Sequence, residues 1–154
     1  MIGTITGHPK FARFVGIGNT GTPVTTKFYD IDASAKTSSV IPIAGWADGR
    51  LVRAHRFDRS GRYFLVLDDS GTLYVLEPTA TGWVTRKAIA GAVPSMPTAS
   101  PFPMIVANEA KDEVYVSDPN GSQLVVIDVA RQEVKQRVAL GFKPSYLAWT
   151  GIAR

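Results

Sequence analysis

Short apolar stretches recur along this chain at a fixed spacing, each closed by turn-forming residues. Phe14-Val15-Gly16-Ile17-Gly18-Asn19, Phe64-Leu65-Val66-Leu67-Asp68-Asp69 and Val114-Tyr115-Val116-Ser117-Asp118-Pro119 start at positions 14, 64 and 114. That is a period of about 50 residues, in the range of repeat architectures. The stretches are short, rich in β-branched and aromatic residues, and bounded by Gly, Asn, Asp or Pro, which predicts strands. No window carries a clean 3.6-residue period, so helix content near zero is expected.

Three further strands are predicted in each unit. Following the aligned segment come Lys27–Asp32, Thr72–Glu77 and Gln123–Asp128, each ending in a carboxylate. The connections Asp69-Ser70-Gly71 and Pro119-Asn120-Gly121-Ser122 have hairpin chemistry, whereas Asn19 to Thr26 reads as one long loop. Next come Ser39–Ile43, Trp83–Ile89 and Val134–Leu140, leading to Gly45, Gly91 and Gly141. Pro42 lacks an amide donor, which suits an outermost strand. Before each aligned segment lie Ile2–Thr6, Leu51–Phe57 and Met104–Asn108, followed by matching turns in which His8, Asp58 and Asn108 align.

Four antiparallel strands per repeat is the blade of a β-propeller. The expected fold is all-β: three four-stranded blades over 1–45, 46–95 and 96–143, then a closing strand over 144–154. Three blades fall short of the roughly four to eight that close a ring. The chain is therefore expected to be completed by another copy of itself in a six-bladed ring, with Tyr146–Trp149 completing a blade of the partner, or by blades lying before Met1. Phe14, Phe64, Tyr115, Leu73, Tyr74, Val125, Ile127 and Trp149 are the expected inter-blade core.

The third unit carries a specific motif. Glu113-Val114-Tyr115-Val116-Ser117-Asp118-Pro119-Asn120-Gly121-Ser122-Gln123-Leu124-Val125-Val126-Ile127-Asp128, followed by Gly141-Phe142-Lys143-Pro144, resembles the YVTN-type propeller repeat. The second unit matches less well and the first departs most. The closing stretch Pro144–Arg154 has a looser resemblance to the C-terminal strand of periplasmic propellers that include zinc metallochaperones. This implies a periplasmic or secreted location and makes zinc a possible cofactor, but the family's metal ligands have no residue-by-residue match here. Some propellers resembling the family hydrolyse lactones, so an enzyme is the other implied class.

Composition narrows the chemistry. Of 154 residues, 45% are hydrophobic and 19% charged, as in a folded domain. No apolar run approaches the roughly 18 residues of a membrane span. Met1-Ile2-Gly3-Thr4-Ile5-Thr6 has no basic region or cleavage signal, so no signal peptide is read there. The absence of cysteine removes disulfides and thiolate chemistry and suits a cytosolic or a periplasmic protein equally. The formal charge of +4 is spread singly, apart from Arg53/Arg56/Arg59/Arg62, so neither a nucleic-acid nor a membrane partner is expected.

Candidate site residues follow from position. His55 lies on Leu51–Phe57, the strand expected nearest the propeller axis, where side chains line the channel. With Arg53, Arg56 and Asp58 it forms the most concentrated polar group, and it is the candidate metal ligand. His8 reads as a solvated turn residue. Asp68-Asp69 reads as turn capping. Gly16-Ile17-Gly18-Asn19-Thr20-Gly21 fits G-x-G-x-x-G only superficially, because it leads into a strand. With no catalytic motif, the leading expectation is a non-catalytic propeller binding module. Metal delivery and lactone hydrolysis are its rivals.

Overall fold

A computed structural model describes residues 2–150. It is all-β, with twelve strands and, among the described residues, no helix. The strands are β1 (Ile2–Gly7), β2 (Arg13–Thr20), β3 (Thr25–Asp32), β4 (Thr37–Ile41), β5 (Val52–Phe57), β6 (Phe64–Asp68), β7 (Leu73–Thr79), β8 (Gly82–Ile89), β9 (Ile105–Ala107), β10 (Glu113–Asp118), β11 (Gln123–Asp128) and β12 (Glu133–Ala139). They form three antiparallel four-stranded sheets in the orders β1-β2-β3-β4, β5-β6-β7-β8 and β9-β10-β11-β12. Each is a propeller blade built from consecutive strands.

The blades stack face to face. Val15, Ile17, Phe28 and Ile41 of the first meet Phe57, Phe64, Val66, Tyr74 and Leu76 of the second in one buried cluster. The other face of the second blade, with Leu65, Leu67, Leu73 and Val75, meets Val114, Val116, Val125 and Ile127 of the third. The middle blade is thus apolar on both faces, which is why β6 reads as an unbroken buried run rather than an alternating one. Neighbouring blades also touch through their first strands, β1 with β5 and β5 with β9. The first strands are therefore innermost, and β4, β8 and β12 are the outer, exposed edges.

The repeat extends to the turns. His8, Asp58 and Asn108 donate their backbone N–H to Arg13, Tyr63 and Glu113, five residues on in each blade. The side chains then cap the same turn with different chemistry. His8 Nδ1 accepts from the Lys10 and Phe11 amides, Asp58 from those of Ser60 and Tyr63, and Asn108 Oδ1 from those of Ala110 and Lys111. One backbone shape thus accommodates three residue types, because each offers an acceptor at the same place.

Four expectations are corrected. The connection after β2 is no longer than its sisters: Thr20 pairs with Thr25 and Asn19 with Thr26, leaving four residues, as at 69–72 and 119–122. β-Branched threonines continue the ladder where the Gly and Pro between them suggested a loop. β4 ends at Ile41, one residue before Pro42, which has no N–H to extend the pairing. Pro144–Thr150 is not a strand; it has no neighbouring strand to pair with. Residues 151–154 of the expected closing strand lie outside the described residues. Finally, Phe14 and Tyr115 are half-buried and Trp149 is 36% exposed, so these three do not belong to the inter-blade core. Trp149 stacks on Tyr115, at 6.1 Å between ring centroids, over the outer face of the third blade.

Candidate functional site

The inner strand β5 carries the polar residues singled out by the sequence, but the pleat sends them in different directions. His55 pairs with Val66 and so faces the first blade. Its Nε2 lies 2.9 Å from Thr4 Oγ1 and its Nδ1 2.7 Å from Thr6 Oγ1, both on β1. Burial pushes its pKa below the ordinary imidazole value. Both nitrogens are thus engaged in joining two blades, and a metal would have to displace a threonine from one of them. Among the described residues no three His, Asp or Glu side chains converge in a manner that could hold a metal ion.

Arg53 sits at a β-bulge, where the register steps from Val52↔Asp68 to Ala54↔Leu67, and its guanidinium lies over the Phe102 ring at 4.7 Å. Arg56 pairs with Leu65, so it faces the opposite way to His55, and it is exposed. Asp58 is only 5% exposed and its carboxylate is occupied by the turn amides and by Ser60 Oγ. Of the four candidates, Arg56 and Asp58 line one cavity, of about 370 Å³, with Ile5, Thr6, Arg59 and Glu109 at the rim of the inner strands. His55 and Arg53 are not in its wall. The four therefore do not form one catalytic group.

Asp68 behaves as turn chemistry predicts. Its Oδ1 accepts from the Ser70 and Thr72 amides and from Ser70 Oγ. Its counterpart Asp118 accepts from the Gly121 amide and from Gln123. His8 is more than a solvated turn residue. Its Nε2 donates to the Gly61 carbonyl at 3.0 Å, and its ring packs on Phe57 at 5.0 Å. It is a tie between the first two blades.

The larger concavity lies where sequence reasoning placed nothing. A cleft of about 610 Å³ opens between the first and second blades, at the end that carries the β1–β2, β5–β6 and β7–β8 turns. Phe11, Phe14, Phe57 and Trp83 supply much of its wall, and Arg13 and Asp30 a polar floor. Arg13 Nη2 is paired with Asp30 Oδ2, which also accepts from Trp83 Nε1 at 3.0 Å. At its lip Arg62 and Arg86 share Glu77, whose carboxyl is held below its ordinary range, first by the Arg62 hydrogen bond.

The register shows what is unusual here. Asp30 pairs with Val15, as Val75 pairs with Leu65 and Val126 with Tyr115. At the position where two blades use valine, the first uses a carboxylate, and its side chain is 10% exposed. That substitution is the one sequence signal that would have found the cleft. Arg13, Asp30 and Trp83 lie on three strands, so no local motif joins them.

No protein-family model matches this chain. No curated protein matches it either. Among solved structures it is similar to apo AztD from Citrobacter koseri, with a TM-score of 0.66, 17% identity, and coverage of 92% of this chain and 35% of that one. It is also similar to a protein from Lactobacillus plantarum, with a TM-score of 0.61, 14% identity, and coverage of 91% and 42%. The chain thus spans about a third to two-fifths of the length of these structures, and at this identity the likeness is one of fold.

Proposed function

We propose that these three blades are part of a larger β-propeller that serves as a non-catalytic binding module, and that further blades seat against the outer face of the first. One observation carries this reading. Ile5, Gly16, Tyr29 and Val40 are directly paired across all four strands of the first blade. They form an apolar row facing away from the second blade, with Ile5 68% and Val40 61% exposed. In the other two joints, rows of this kind are buried against a neighbour. The partial coverage of the similar structures supports the same reading.

A binding role is favoured over hydrolysis because His55, Arg53, Arg56 and Asp58 are spent on separate structural tasks: a blade joint, a ring contact, a cavity rim and a turn. The test is the solution mass of the 154-residue chain by light scattering across a dilution series. Association, or capture of further blades supplied as a separate fragment, is expected. A monodisperse monomer that ignores added blades and binds no hydrophobic dye overturns the reading.

A further inference from the structure

The two terminal faces of the arc are not alike. On the third blade Val106, Tyr115, Val126 and Gln136 pair across the four strands, in a row facing away from the second blade. Val106 and Val126 are only 6% and 3% exposed, although neither belongs to the cluster buried between the second and third blades. The row at the other end of the arc, on the first blade, has Ile5 and Val40 largely exposed. What distinguishes the third blade is Pro144–Thr150. Pro144 is buried, and Trp149 stacks on Tyr115 in the middle of the row. The segment takes the side on which a following blade would sit.

This cover is loosely tied. The two linkers between blades are held by backbone hydrogen bonds, Gly49 N–H to the Val24 carbonyl and Val93 N–H to the Gly71 carbonyl. Among the described residues, no backbone hydrogen bond joins 141–150 to the blades. Tyr146 is exposed, so the segment leaves one of its own rings in water. A blade face burying the whole row gains more apolar contact than one ring stack supplies.

We propose that Pro144–Thr150 is a displaceable cover on the outer face of the third blade, and that the first blade of a second copy of this chain displaces it. This rests on the reading of the blades as part of a larger propeller, and names the missing part as another copy. The side chains at the two ends fit each other. In the closed joints, Val15 and Leu65 face the following blade, and Val66 and Val116 face the preceding one. At the open ends the corresponding positions hold Tyr115 and Gly16. The first is bulkier than its counterparts and the second has no side chain. Bringing these two faces together balances the excess of one against the deficit of the other, as close packing requires. Two chains joined at both ends carry six blades, within the roughly four to eight that close a ring.

The test uses the full chain. Light scattering across a dilution series should find a two-chain species that dissociates on dilution. The Trp149 indole N–H signal, assigned by its loss in Trp149→Ala, should shift as the species forms. Trp149→Ala should tighten association by about tenfold, because the ring displaces two covers. Trp149→Phe, which keeps a ring, should lie between, and serves if the alanine variant fails to fold. Direction is read with thiols, since the chain has no cysteine. Val40→Cys mixed with Gln136→Cys should give the mixed product with a short bismaleimide, these being the outer ends of the two rows. Cross-linking of Val40→Cys only to itself, or association that Trp149→Ala leaves unchanged or weakens, overturns the proposal. A single-chain species at millimolar concentration overturns it too. If that species captures further blades supplied as a separate fragment, the larger propeller stands and only the second copy falls.

Discussion

Thr6 Oγ1 lies 2.7 Å from His55 Nδ1, across the joint between the first two blades. With Thr4 on the other ring nitrogen, this makes the imidazole a bracket between two inner strands. Burial favours its neutral form, so the folded pKa lies below that of the unfolded chain, about 6.5. Stability is then unaffected by this group above the unfolded value. It declines as pH falls toward the folded value, because the unfolded chain takes up the proton first. Urea melts from about pH 7.5 to 5 should show this loss. His55→Gln, which cannot titrate, should lose less over the same window; an identical slope in the variant would remove His55 from the account.

Gly61 and His8 form a second interlock. Gly61 has φ +76°, and a Cβ there would lie 2.3 Å from His8 Cε1 and Nε2. Gly61→Ala should cost about 2 kcal/mol or more, from the backbone conformation and the clash together. His8→Ala alone should cost about 1 kcal/mol, more than for a solvated turn residue, through the lost cap and the lost bond to the Gly61 carbonyl. The double variant should fall short of the sum, since removing the ring relieves the clash. Chemical denaturation of the four proteins measures the coupling, and strict additivity would show that the ring is not the obstacle.

The middle blade sets the stability of the whole. Leu65 and Leu73 are 0% exposed in the joint between the second and third blades. Leu65→Ala should cost about 2–5 kcal/mol, and Trp149→Ala far less because its ring lies on the surface. Thermal melts that reverse this ranking would overturn the assignment of faces.

Association should depend on the apolar row of the first blade. Ile5→Lys with Val40→Lys places charges on an exposed face without touching either blade joint. The double variant should keep its melting temperature and lose self-association by sedimentation. Association that survives both charges would point to the third blade as the sticky surface.

The strands were legible because each blade repeats the same order of apolar stretch, turn and carboxylate, and a period confirmed three times outweighs local ambiguity. The turn at Asp68 was legible for the same reason, since Asp118 occupies its place in the next unit. What could not be read was direction. His55, Arg53 and Arg56 are close in sequence, but alternation and a bulge at Arg53 send them to different surroundings. The cleft was harder still. Arg13 and Asp30 come together through β2–β3 pairing, and Trp83 joins them across the space between blades. Asp30 lies inside the predicted strand Lys27–Asp32, level with Val75 and Val126, but the sequence pattern did not show which face of the blade its carboxylate takes.

Each sheet is completed by consecutive strands, with none borrowed from a neighbour. A cut in 42–51 or 90–104 would therefore leave every strand pairing within a sheet whole, although both segments also pack on the blades, as Trp46 and the buried Ala92 and Val93 do. For such a chain, tandem duplication of the coding unit adds one intact wedge at a time, and a deletion removes one just as cleanly. Change of size leaves the strand topology intact and is constrained where wedges abut and where the ring closes. A carboxylate such as Asp30 can thus occupy a position in one blade while Val75 and Val126 hold the matching positions of the other two.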